Sequence, residues 1–201
     1  MNEQISAYFQ QNGLELAGVL TGIVCVYYNA RQNVWGWVWS MVSVGIYFVI
    51  FLRTKLYADA GLQVFFFVVS VYGIYEWLFG GENRTVLPVS RFPKKFIVPT
   101  LGAGVAFWLG LSWVLHRYTD AALPYLDSAL TTVSLVAQWM LARKYLENWL
   151  LWIGADAVYV GMYLFKDLHY TAFLYFVYLG LATMGYLAWR RSLSEPRFSG
   201  F

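Results

Sequence analysis

Charge is what this chain of 201 residues has least of. Asp, Glu, Lys and Arg make up 12% of it, against about 25% in an ordinary soluble domain. So sparse a polar surface excludes a globule bathed in water. There is one cysteine, Cys25, inside an apolar run, so no disulfide framework exists and the thiol says little about compartment. There are two histidines, His116 and His169, both at the ends of apolar runs. Neither a His-x₃-His pair nor a nucleophile–histidine pairing occurs inside a run, so an enzyme is not expected and no cofactor or metal is implied. The opening MNEQISAYFQQNG has neither the basic start nor the small-residue cleavage site of a signal peptide. The net charge of +3 comes from lysines and arginines at run ends, which excludes a nucleic-acid surface.

What the chain has in abundance is apolar length. Of its residues 60% are hydrophobic and 20% aromatic. They gather into seven runs, roughly 14–30, 34–52, 57–80, 97–116, 122–143, 148–165 and 168–189. A bilayer core about 30 Å thick needs about 20 such residues per helix. The sequence therefore predicts an all-α integral membrane protein of seven transmembrane helices, with no room for a soluble domain. If the N-terminus is outside, the inner segments hold ten lysines and arginines: Arg31, Arg84, Arg91, Lys94, Lys95, Arg143, Lys144, Arg190, Arg191 and Arg197. The outer segments then hold four: Arg53, Lys55, Arg117 and Lys166. Basic residues stay on the cytoplasmic side, so the expected orientation is N-out, C-in.

The longest polar break, GGENRTVLPVSRFPKK at 80–95, separates three runs from four. The first three and the last three look alike. Shifted by 112 residues without a gap, Ala30-Arg31 falls on Ala142-Arg143, Trp37 on Trp149, Tyr47 on Tyr159 and Phe51-Leu52 on Tyr163-Leu164. Leu56 falls on Leu168, Ala60 on Ala172, Gly73 on Gly185, Trp77 on Trp189 and Glu15 on Asp127. Both triplets start on the same side, so they read as parallel repeats in a 3+1+3 arrangement. The expected division is a first three-helix repeat (1–80), a cytoplasmic loop with a linking fourth helix (81–121), and a second repeat with a cytoplasmic tail (122–201). Parallel repeats are a transporter architecture with its site near the midplane.

Ionisable residues at membrane depth cost about 2.5–3.5 kcal/mol each on insertion scales, so they face a cavity or a partner. Asp156 is the deepest. Steps of three and four put Trp149, Trp152, Asp156, Tyr159 and Tyr163 on one helical stripe. Asp127, Thr131, Ser134 and Gln138 form a second stripe, on the fifth run. Gln63, Phe67, Ser70 and Trp77 share a face of the third run, with Glu76 pointing elsewhere. Plainer readings stand beside these. Trp149 suits an interfacial belt, and the hydroxyls and amides suit interhelical contacts. Glu15 and Asp127 suit the headgroup region, and Glu76 suits a pairing with Arg84. No helix interior supplies Asp156 with a lysine or arginine. A carboxylate without a protein cation, flanked by aromatic faces, fits a cationic ring, oriented by Gln138, Ser134, Thr131, Gln63 and Ser70. No arginine clamp is present for a phosphate. Trp37 and Glu15, the repeat partners of Trp149 and Asp127, complete the candidate set. A retinal protein would need a buried lysine, and Lys166 is at a loop edge.

NVWGW after the first run, LQVFFFVVSVYGIYEW in the third and ARKYLENWLLW into the sixth resemble the PnuC-type vitamin transporters over nearly the whole chain. Trp149 and Trp152 match that family's Trp-x-x-Trp motif. The resemblance implies a SWEET-like fold, often trimeric, in a bacterial inner membrane. It also implies facilitated diffusion of an unphosphorylated vitamin, which is trapped inside by phosphorylation. The sequence departs from the nicotinamide riboside pattern, which reads Tyr-Gly-Trp-aromatic where Tyr72-Gly73-Ile74-Tyr75-Glu76 stands here. That pattern also often has an amide at the place of Asp156, and some members carry an extra N-terminal helix. The departures turn the expectation towards thiamine, with nicotinamide riboside as the alternative. In that reading the stripe from Trp149 to Tyr159 stacks the rings while Asp156 holds the charge. The partners are then the vitamin and the lipid bilayer.

Overall fold

The computed structural model describes residues 2–53, 57–119, 123–165, 167 and 169–194. Lys55, Lys166 and Arg197 of the charge count, and the pair Leu56 and Leu168 of the repeat, lie outside them. Seven α-helices run through the described residues: α1 (Asn2–Ala30), α2 (Trp35–Arg53), α3 (Tyr57–Phe79), α4 (Ile97–Tyr118), α5 (Pro124–Ala142), α6 (Asn148–Phe165) and α7 (His169–Ser194). The helix ends fall close to the expected ones except at α1, which begins about three turns earlier. Its first residues are too polar to extend an apolar run, and the membrane-compatible stretch starts only at Gly13. Five helices are long and apolar enough to cross a membrane: α1, α2, α3, α4 and α7. The other two, α5 and α6, carry the polar stripe and the Asp156 stripe, which dilute their hydropathy.

The chain forms two compact units, Met1–Leu87 and Pro88–Phe201. In the first, α2 packs against both α1 and α3. In the second, α4 packs on α5, α5 on α6, and α6 on α7. Two turns of left-handed backbone link the paired helices. Gln32 (φ 57°) closes α1 into α2, and Lys144 (φ 50°) closes α5 into α6. These two residues are 112 apart, and so are the hydrogen bonds around them. Arg31 N–H donates to Tyr27 O and Arg143 N–H to Trp139 O; Asn33 N–H donates to Tyr28 O and Tyr145 N–H to Met140 O. Gly36 N–H donates to Asn33 O and Asn148 N–H to Tyr145 O. The sequence correspondence is thus a correspondence of backbone geometry.

One buried amide serves each turn, from opposite sides. In the first unit it is Asn29, on α1, and a Cβ at Gly36 would overlap its carboxamide. In the second it is Asn148, at the position equivalent to Gly36, whose Nδ2 donates to Tyr145 O at 2.6 Å. Leu141 takes the place of Asn29.

The polar segment 80–92 is fixed at both ends, each within its own unit. Leu87 N–H donates to Trp77 O in the first. In the second, Ser90 N–H donates to Lys144 O and Leu146 N–H to Ser90 O, at 3.0 and 2.9 Å. Phe92 N–H donates to a Glu147 carboxylate oxygen at 2.7 Å, and the Phe92 ring meets Tyr145 edge-on at 5.3 Å. Lys144, at the centre of this clasp, is buried, and burial pulls its ammonium down to about 8.

Candidate functional site

In the second unit the stripe on α6 divides by depth. Trp149, in its first turn, is 1% exposed and meets Trp189 of α7 edge to face at 5.4 Å and 90°. A Cβ at Gly185 would stand 2.6 Å from the Trp149 ring, so only glycine lets α7 approach so closely. Trp149 is therefore walled in by α7. Trp152, three residues on, is half-buried and keeps accessible ring surface. Asp156 is 6% exposed, and no hydrogen bond or ion pair to its carboxyl forms among the described residues. Tyr159, one turn further, is half-buried and stacks on Tyr163 at 6.1 Å.

On α5 the expected stripe separates into enclosed and accessible parts. Gln138 is buried, whereas Thr131, Ser134 and Asp127 are half-buried. A second polar row on the same helix escaped the sequence reading. Ser128 shares a 2.6 Å hydrogen bond with Ser112 of α4, and Thr132 donates to Ser128 O. The signal available was the spacing of four between Ser128 and Thr132, with Ser112 in the otherwise apolar α4. This row joins helices, and two apolar grooves of 430 and 240 Å³ run beside it along α4 and α5. Both grooves are lined by Thr100, Gly104, Thr132 and Val136, and no expected site residue lines either.

The first unit repeats the tryptophan arrangement. Trp37 is fully buried, meets Trp77 at 5.6 Å and 85°, and would touch a Cβ on Gly73 at 2.5 Å. Among the described residues, the indole N–H groups of Trp37 and Trp149 are both buried without an acceptor. Ser70 is 0% exposed; its hydroxyl donates to Phe66 O at 2.8 Å and pairs with Ser40 at 2.9 Å. Gln63 is half-buried on α3 and Glu15 is exposed on α1. The structure thus gathers Trp149, Trp152, Asp156, Tyr159, Gln138, Ser134 and Thr131 into the second unit, and Glu15, Trp37, Gln63 and Ser70 into the first.

Five apolar helices of bilayer length, joined by two that carry a buried carboxylate, an amide and hydroxyls, define a multi-pass membrane transporter rather than an anchor or a structural span. The sequence profile of the nicotinamide mononucleotide transporter family matches residues 12–191, and the chain belongs to that family. Among its relatives is the nicotinamide riboside transporter PnuC of Escherichia coli (strain K12), 26% identical over 90% of this chain and 87% of that protein. Another is the riboflavin/roseoflavin transporter RibM of Streptomyces davaonensis, 24% identical over 100% of this chain and 97% of its own length. The crystal structure of the vitamin B3 transporter PnuC has the same fold, with a TM-score of 0.72 at 23% identity over 95% of this chain and 86% of that one.

Proposed function

We propose that this protein carries nicotinamide riboside, an unphosphorylated cationic vitamin, across a bacterial inner membrane. The observation that carries the reading is Asp156: a carboxyl nine-tenths buried in mid-helix, with no cation paired to it among the described residues, one turn from Trp152 and from Tyr159. A pyridinium ring supplies the missing charge and stacks on the aromatic walls. The relatives are named for nicotinamide riboside and riboflavin, and among them the expectation of thiamine has no support. The family bears the name of the mononucleotide, but α5 and α6 contain no lysine or arginine to hold a phosphate. That favours the riboside.

In this reading Trp152, Asp156, Tyr159, Gln138, Ser134 and Thr131, all of the second unit, touch the vitamin. Trp149 holds the framework behind them, and in the first unit Trp37 and Ser70 fasten α2 to α3. The two triplets flank the linking helix α4 in a 3+1+3 arrangement, N-out and C-in, and the resemblance noted above brings with it a homotrimer. They open alternately to either side, without ion coupling, and phosphorylation inside traps the cargo.

Titration of the purified chain with nicotinamide riboside, nicotinamide mononucleotide, thiamine and riboflavin, followed by tryptophan fluorescence, tests the assignment. Nicotinamide riboside is expected to bind tightest. Asp156→Asn, which keeps the shape and removes the charge, is expected to weaken it about tenfold or more. Tighter binding of thiamine would return the substrate to that vitamin. Equal binding of the mononucleotide would remove the phosphate argument, and indifference to Asp156→Asn would remove the charge argument.

A further inference from the structure

Beyond Asp156, towards the α6–α7 connection, three tyrosine rings form a stack that the proposed site does not use up. Tyr159 and Tyr163 of α6 lie 6.1 Å apart at 14°; Tyr175 of α7 lies 4.5 Å from the first at 31° and 5.3 Å from the second at 27°. Tyr178 closes one side edge-on to Tyr175 at 6.0 Å. All three stacked rings are only half-buried, so part of each remains accessible.

The first unit shows that helix packing does not require this stack. Its equivalents, Tyr47 and Phe51, are stacked at 5.9 Å and 28°, but Gln63 stands where Tyr175 would be. Two of the three hydroxyls and the third ring are additions of the second unit. Among the described residues, the charged groups that bear on them are carboxylates. Asp127 of α5 acts electrostatically on Tyr159 and Tyr163, and Asp156 acts on Tyr159 and Tyr175. The helices that carry the stack contain no lysine or arginine before Arg190, and His169 opens α7.

We propose that this stack, with Asp127 beside it, is a second docking site for a flat cationic ring, adjoining the one at Asp156 and sharing Tyr159 with it. The inference rests on the reading of the cargo as a pyridinium. Ring faces attract a cation, and the two carboxylates add to the negative potential. A ring held between two others needs about 7 Å between them, two van der Waals contacts. The stack is tighter than that, so the ligand lies against its accessible surface. Tyr163 is seven residues from Asp156, about 10 Å along the helix, so the cation rests at the stack one step before it reaches the buried carboxyl.

The test uses 1-methylnicotinamide, which has the pyridinium and no sugar, titrated into the purified full chain and into variants, with nicotinamide riboside titrated in parallel. Tyr175→Leu removes a ring, Tyr175→Phe keeps it, and Asp127→Asn removes the charge from a different helix. Weak binding of 1-methylnicotinamide is expected, loosened about three- to tenfold by Tyr175→Leu and by Asp127→Asn. Tyr175→Phe is expected to leave it within about twofold. No binding to the wild-type chain overturns the proposal. So does binding indifferent to both Asp127→Asn and Tyr175→Leu. If Tyr175→Leu does not fold, Asp127→Asn alone decides. Failure of nicotinamide riboside to bind while 1-methylnicotinamide behaves as expected would overturn the assignment of the cargo and leave the second site standing.

Discussion

Gly185 lies against Trp149 so closely that a Cβ added there would stand 2.6 Å from the indole, and 112 residues earlier Gly73 does the same to Trp37 at 2.5 Å. Each pair fastens a helix of the Trp-bearing type to the helix that follows it, and each is backed by an edge-on tryptophan. Neither indole has room to withdraw, being at most 1% exposed. Gly73→Ala and Gly185→Ala are each expected to destabilise by about 1–3 kcal/mol through overpacking, read as a lower unfolding midpoint in detergent. Unchanged midpoints would mean that the helices separate freely at these contacts.

The two tryptophans of the Trp-x-x-Trp motif are expected to fail in different ways. Trp149→Leu leaves a hole in the α6–α7 contact and should lower thermal stability, by about 3 kcal/mol or more. Trp152→Leu, at a half-buried position, should weaken nicotinamide riboside binding about three- to tenfold, by loss of an aromatic wall, with a smaller change in melting. A paired measurement of melting and affinity separates the roles. If both variants lose affinity and keep their stability, Trp149 is a ligand contact as well.

Lys144 gives a pH signature. Its ammonium is held at about 8, below its usual 10.5, because burial disfavours the charged form. Between those two values the unfolded chain binds the proton and the folded chain has released it. Stability should therefore rise as pH rises from about 8 to 10.5. Lys144→Met keeps the length without the charge and should flatten that rise. A melting profile with the same slope in both proteins would assign the effect to another group.

Much of this was written in the sequence, because a membrane makes composition speak. Six helices start and stop within a few residues of the apolar runs. α1 begins earlier because residues before Gly13 form helix without being apolar. The offset of 112 pairs Trp37 with Trp149 and Trp77 with Trp189 in the sequence itself, since large aromatic side chains rarely coincide by chance. Periodicity put Trp149 and Trp152 on one stripe and went no further: it gives a direction on a helix, but not the distance of the next helix, which Gly185 sets. The same limit hid the fate of Ser70, whose hydroxyl is taken up by Ser40 and Phe66. Tyr175 was overlooked, although the offset pairs it with Gln63, a residue already singled out. The exchange of Asn29 and Gly36 for Leu141 and Asn148 was illegible, because the amide changes helix while the turn keeps its shape.

Pro88 marks the place where the polar segment changes allegiance. Before it, Leu87 is tied back to Trp77; after it, Ser90 and Phe92 are tied forward to the α5–α6 turn. A backbone break between Leu87 and Pro88 would sever none of these cross-links. Two co-expressed pieces would each keep their own fastenings, so a tag on each would follow the membrane insertion of each half on its own.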